Sequence, residues 1–399
     1  MGYLHMTVMS SPVEARQVLQ SQDTVFTNRP APTAVKYLSY DRADVAFANY
    51  GPFWRHRRRA ESWDSDRDEV HSMTRVVSTS TSLSVNIGEL GCFGTCSDGG
   101  KDELLKIMHE FSKLFVEFNI ADFIPWLGWA DLKGLNTRIV KARASLDNFI
   151  DSIIDDHIKR KKANYSDEGD SDMVDELLAF YGEETKVNDS DDLQNALRLT
   201  RDNIKAIIMD VMFGGTETVA SGIEWTMAEL IKSPGDLKRV QQELANVVGL
   251  HRKVEETDIE KLTYLKCCIK ETLRLHPPIP LLIHEAVEDA TINDYYIPAK
   301  SRVIVNVWAV GRDKNSWENP KAFKPSRFLK EGRRSCPGMQ LGLYAFEMAL
   351  ANLLHCFNWE LPDGMKPSEV DMDDVFGLTA PKATRLVAVP TRRLLCQLY

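Results

Sequence analysis

The chain has 399 residues, enough for a sizeable core but short for three independent domains. Hydrophobic residues make up 43% and charged residues 27%, a globular composition that argues against disorder. With 49 basic against 58 acidic residues the net charge is −9, so no nucleic-acid partner is expected. Seven scattered cysteines with no secretory leader ahead of them suggest a reduced compartment and mostly inert thiols. No run of about 18 apolar residues is present, so no membrane-spanning helix is expected.

In chain order, a short strand is expected within the first ten residues. The polar stretch 159–192 reads as a solvated surface loop between helices. Asp202 to about Ile231 carries Ile204, Ile207, Ile208, Val211, Met212, Val219, Ile223, Met227 and Leu230 at helical spacing. Gly214-Gly215 should interrupt this helix near its middle, and Pro234 should end it. A second helix is predicted over Pro234–Val248. A third is predicted over Leu262–Leu275, stopped by Pro277-Pro278. Ser301–Trp308 alternates and is β-rich, so a strand is predicted there. A last helix should run from Pro337 to about His355, and a short strand should occupy about 384–390. The sum is a mainly α protein with small β-sheets and no internal repeat, read as a single domain over 1–399.

Four clusters could carry chemistry. Cys336 lies in Gly332-Arg-Arg-Ser-Cys-Pro-Gly338. Pro337 suits the first turn of a helix, whose free N–H groups and dipole favour a thiolate that can bind a soft metal. Gly332 and Gly338 allow close approach of a flat ligand, and Arg334 offers a fork for a carboxylate. The bland alternative is an ordinary turn with a buried cysteine. Phe213-Gly-Gly-Thr-Glu-Thr218 places two glycines inside a helix, with Glu217 and Thr218 able to relay protons. A helix crossing enabled by small residues explains the same pattern. Glu271 and Arg274 share a helical face, with Arg327 as a third partner, or else form a surface ion pair. Trp54 and Arg58 could contact a planar anion together, or belong to a basic surface segment.

In this order the clusters resemble the cytochrome P-450 family of haem-thiolate monooxygenases. Within it the chain is similar to the plant ferulate/coniferaldehyde 5-hydroxylases of lignin biosynthesis. That likeness rests on Ile120-Ala-Asp-Phe-Ile-Pro, Asn203 through Ser221, Leu275-His-Pro-Pro-Ile-Pro-Leu-Leu and Val375-Phe-Gly-Leu-Thr-Ala-Pro-Lys. The resemblance implies haem as cofactor, with Cys336 as axial thiolate. It implies that Trp54, Arg58, His284 and Arg334 hold the propionates, with Gly332 and Gly338 beside the ring. Glu217 and Thr218 would deliver protons to dioxygen, and Glu271, Arg274 and Arg327 would form a structural network behind the haem. Substrate contacts would come from the 30–48 loop, Val211, Gly214, Gly215, Ile279, Leu282, Phe376 and Leu378. Electrons would come from NADPH through a cytochrome P-450 reductase, at the cytosolic face of the endoplasmic reticulum membrane.

The chain departs from the family pattern. The family's membrane anchor, hinge and first helix do not precede Met1, and sequence is missing after His56 and around Leu90–Phe93. The meander between Phe328 and Gly332 is shortened, so Phe328 sits one place too early relative to Cys336. The expected fold is therefore an incomplete form of the family's. Three readings stand: a phenylpropanoid ring hydroxylase, a hydroxylase of flavonoids or other phenolics, and a non-catalytic remnant that binds no haem.

Overall fold

The computed structural model describes residues 4–51, 54, 98–127, 129, 131, 134–162, 173–181, 199–330, 339–375 and 377–395. The chain divides into two compact units. The first comprises Met1–Met9, Val13–Thr216 and Ile283–Val305, and the second Ser10–Pro12, Glu217–Leu282 and Asn306–Tyr399.

The first unit opens with strand β1 (Met6–Met9) and the short helices α1 (Pro12–Arg16) and α2 (Thr33–Leu38). Helices α3 (Asp98–Val116), α4 (Leu135–Lys162) and α5 (Met173–Ala179) follow, then the first half of α6 (Arg201–Lys232). Their apolar faces meet in one core that includes Leu38, Phe111, Leu114, Leu146, Ile150, Ile204 and Ile208. Each such side chain, fully removed from water, contributes about 1.5–3 kcal/mol. The stretch expected to be a surface loop contains α5, because Val174 and Leu177 bury into that core.

Helix α6 runs unbroken through Gly214-Gly215. The expected interruption does not occur, because apolar residues on both sides of the pair are buried. Met209 and Met212 precede it, and Val219 and Ile223 follow. Their burial outweighs the cost of about 1 kcal/mol per glycine. By length and composition α6 could also cross a membrane, contrary to expectation. Its apolar side chains, however, are those of a core helix.

The second unit takes the rest of α6, then α7 (Pro234–Val248), α8 (Glu256–Ile259) and α9 (Thr263–Leu275). Pro234 starts α7 with its φ preset. Gly249, at φ +82°, ends it and donates its N–H to Ala245 O. The chain then returns to the first unit, to which Ile283–Val305 belong, with strands β2 (Leu281–Glu285), β3 (Ala290–Ile292), β4 (Tyr295–Ile297) and β5 (Arg302–Asn306). They form a sheet of order β1-β5-β2, with β1 parallel to β5, and a β3–β4 hairpin. The strand predicted over Ser301–Trp308 stops at Asn306. There the Asn306 side chain accepts from Ala309 N and starts a one-turn helix, α10 (Val307–Val310).

Helix α11 (Met339–Cys356) and the antiparallel pair β6 (Phe357–Glu360) and β7 (Val389–Arg392) complete the second unit. Gly222 of α6 lies against Phe346 of α11 so closely that a Cβ there would stand 2.7 Å from the ring. The last helix is described only from Met339, so its predicted start at Pro337 lies outside the described residues.

Candidate active site

In the first unit, among the described residues, a Cβ built on Gly214 or Gly215 of α6 meets nothing within 4 Å. Beside it stands a cluster of four phenylalanines. Phe213 packs on Phe111 at 5.1 Å between centroids and meets Phe115 edge-on at 6.0 Å. Phe47 stacks on Phe115 at 5.6 Å. Phe111 is fully buried, whereas Phe47, Phe115 and Phe213 each keep part of their surface exposed. Val211, predicted as a substrate contact, packs against the core of this unit. The 30–48 loop is fixed to α6 by Asp210, whose Oδ2 accepts from Val45 N at 2.7 Å and Ala46 N at 3.1 Å.

Partly exposed aromatic rings near a glycine pair can take a flat aromatic group by stacking and edge contact. Phe47 lies in the 30–48 loop and Phe213 in the stretch beside the glycine pair, both expected to meet the substrate, whereas Phe115 was missed. Nothing in the sequence separates Phe115 from ordinary core residues.

His284, in β2, is buried. Its Nδ1 lies 2.7 Å from Phe26 O, which can only accept, so Nδ1 carries the hydrogen. Its Nε2 is then an acceptor, 3.3 Å from Arg29 Nη1. Burial first, and Arg29 second, push the His284 pKa down to about 4. The imidazole is therefore neutral near pH 7, and the positive charge here belongs to Arg29, which also donates to Ile283 O at 2.7 Å. Arg29 was not found by sequence reasoning. Trp54, predicted to face a haem propionate, donates its Nε1 to Val45 O at 3.1 Å and packs on Tyr50 at 5.4 Å.

Glu217 and Thr218, the next residues along α6, fall in the second unit and are half-buried. In that unit Ile279, Leu282 and Leu378 are likewise half-buried. Their two segments are tied by Ala380 N donating to Pro278 O at 2.9 Å, and Ala380 O accepts from buried Trp225 Nε1 at 3.0 Å.

The second unit also brings Glu271, Arg274 and Arg327 together. Arg274 donates Nε to Glu271 Oε2 and Nη2 to Oε1, both at 2.8 Å. Its other donors reach the carbonyls of Gly311 at 2.6 Å, Pro320 at 2.7 Å and Ala322 at 3.2 Å. All five guanidinium N–H groups are thereby used. Glu271 also accepts from Lys324 N at 2.8 Å and Arg327 Nε at 3.0 Å. The Glu271 side chain is 0% exposed and that of Arg274 3%, so the pair is buried and not a surface ion pair. Arg58, Gly332, Arg334, Cys336, Gly338 and Phe376 lie outside the described residues.

The described residues fit a flat, anionic, largely apolar cofactor and an aromatic substrate in two respects: the glycine pair Gly214-Gly215 and the cationic Arg29. The cytochrome P450 family model matches residues 61–387. Cytochrome P450 84A1 of Arabidopsis thaliana is 60% identical, covering 100% of this chain and 85% of its own length. That alignment spans 442 positions against 399 residues here, so the relative carries stretches with no counterpart in this chain. A flavonoid 3'-monooxygenase of Petunia hybrida is 34% identical, over 100% of this chain and 86% of its own. Among solved structures, a zebrafish cytochrome P450 matches with a TM-score of 0.78 at 23% identity, covering 98% of this chain and 95% of its own, which shows the fold. Mainly helical, with small sheets and a match running nearly from end to end, this chain belongs to the cytochrome P450 family of monooxygenases, a membership that implies a haem cofactor, dioxygen, an organic substrate and a redox partner.

Proposed function

We propose that the chain, as a single catalytic domain, hydroxylates the aromatic ring of a phenylpropanoid of the ferulate or coniferaldehyde kind, as in lignin biosynthesis. The observation that carries this reading is the partly exposed cluster of Phe47, Phe115 and Phe213 near the glycine pair Gly214-Gly215. A planar ring of this size matches such a wall in shape and polarity. The 60% identity to a plant relative supports the same reading.

Haem, when bound, would supply the oxygen activation. Cys336 would hold it through its thiolate, with Gly332 and Gly338 allowing close approach. Arg29, Trp54, Arg58, His284 and Arg334 would surround the propionates, with Arg29 rather than the neutral His284 supplying charge in the described part. Glu217 and Thr218 would hold and pass the protons needed as one oxygen atom enters the ring C–H bond and the other leaves as water. The two electrons would come from NADPH through a cytochrome P-450 reductase on the cytosolic face of the endoplasmic reticulum.

The test is turnover of ferulate, coniferaldehyde and coniferyl alcohol beside a flavonoid, with Phe115→Ala as the variant. The variant should raise KM for the phenylpropanoid about tenfold through loss of one stacking partner. Preference for the flavonoid, or an unmoved KM, would refute the assignment. A second reading, a remnant that binds no haem, is favoured by the stretches of the 442-position alignment that this chain lacks. A reduced, carbon-monoxide-bound spectrum without the red-shifted Soret band of a thiolate-ligated haem would establish it.

A further inference from the structure

Residues 33–49 bring Phe47 to the aromatic cluster by an uncommon backbone path. Tyr40, Asp41 and Arg42 have φ of 56°, 58° and 64°. Three successive L-residues in the left-handed region are unfavourable and persist only where the surroundings hold them. Asparagine or glycine would adopt this path more readily. A tyrosine makes the turn depend on contacts made by its side chain.

Those contacts come mainly from α4, about a hundred positions further along the chain. Tyr40 is buried, and its hydroxyl donates to Asp147 Oδ1 at 2.7 Å. Burial first, and the Asp147 bond second, push ionisation of that hydroxyl upward, so it keeps its proton and remains the donor. The Arg143 guanidinium carbon lies 3.5 Å from the centroid of the Tyr40 ring. Arg143 also donates to Tyr37 O and, at 3.2 Å, to Asp147 Oδ2. Lys205 of α6 donates to the same Asp147 Oδ1 at 3.1 Å, and is itself tied to Asp151 at 2.7 Å. Within the turn, Ser39 Oγ accepts from Arg42 N at 3.1 Å.

We propose that Tyr40, Arg143 and Asp147 are positioning residues: a latch that holds the left-handed turn and thereby sets where Phe47 stands against Phe115, and so the fit of the substrate ring. The proposal rests on the reading of the phenylalanine cluster as the wall that receives the ring. The latch differs from an ordinary core contact because it acts on one strained turn, while the core around α4 is supplied by Leu146, Ile150 and Ile154.

Tyr40→Phe removes one hydroxyl and little volume. Hydrogen–deuterium exchange on the full chain, followed by mass spectrometry, should show exchange over 39–46 rising about tenfold, as expected when a hydrogen bond to a charged acceptor is lost locally. Exchange over 144–155 should stay near the parent, while global unfolding should lose no more than the roughly 1.4 kcal/mol that a tenfold local change corresponds to. Equilibrium dialysis with coniferaldehyde should show a dissociation constant raised about threefold or more, because the competent loop is less populated. Asp147→Asn removes the charged acceptor and sets an amide donor against Arg143 or Tyr40, so exchange over 39–46 should rise as in Tyr40→Phe. Arg143→Ala, which removes the face contact, should behave like Tyr40→Phe. Exchange over 39–46 within about twofold of the parent in both Tyr40→Phe and Arg143→Ala overturns the latch. Raised exchange with an unmoved dissociation constant overturns its role in positioning. A parent chain that binds no coniferaldehyde sinks the substrate reading instead, and the exchange result then decides the latch alone.

Discussion

Replacing Glu271 by Gln preserves shape and removes one charge from a fully buried carboxylate in the second unit. Glu271 accepts four hydrogen bonds, from Arg274 Nε, Arg274 Nη2, Lys324 N and Arg327 Nε. A glutamine oxygen in the Oε1 position can keep the last three. Its amide then faces Arg274 Nε, donor against donor, and two guanidinium groups lose their counter-charge. Removing one partner from a buried pair costs about 3–5 kcal/mol, because an uncompensated charge stays inside. The control is the exposed pair Lys324–Glu318, at 3.6 Å with side-chain exposures of 49% and 78%. Glu318→Gln should change stability by less than about 1 kcal/mol. Urea unfolding followed by tryptophan fluorescence measures both. Trp317 reports locally, since Arg274 lies 5.1 Å and Arg327 5.8 Å from its ring. A Glu271→Gln loss below about 1 kcal/mol would refute the argument that this network is held by burial and charge pairing together.

Two further outcomes follow from single contacts. Gly222→Ala places a methyl 2.7 Å from Phe346 and should cost about 1–3 kcal/mol by overpacking, most of it recovered in the double variant with Phe346→Leu; additive losses would show that the close approach is not the cause. The neutral, buried His284 has a folded-state pKa of about 4, below its ordinary value of 6.5, so the unfolded chain takes up its proton first as pH falls. Its contribution is fully present above pH 6.5 and is lost between there and about pH 4. His284→Gln should flatten the stability profile in that window, and an unchanged slope in chemical denaturation would count against the assignment.

Much of the helical framework was legible in the sequence because its signals are local. Pro234 and Gly249 bracket α7, and the apolar spacing of 202–231 marks α6. The i, i+3 spacing alone put Glu271 and Arg274 on one face. The continuity of α6 through Gly214-Gly215 was not legible, since it depends on what buries Met209, Met212, Val219 and Ile223 on either side. Likewise α5 looked like part of a polar loop because only a few apolar residues, chiefly Val174 and Leu177, drive its burial.

The sequence by itself determined the family through the ordered clusters that end in Cys336. It determined the mainly helical fold, and it offered the residues proposed to bind haem and move protons. Each of these is written in short windows where chemistry or helical period fixes the answer. Only the tertiary structure decided which distant groups meet. It surrounded Arg274 with the carbonyls of Gly311, Pro320 and Ala322, set Arg29 beside His284, and gathered Phe47, Phe111, Phe115 and Phe213. The reason is physical: a side chain's neighbours along a helix are set by its own period, whereas its neighbours across the core are set by how separate elements pack.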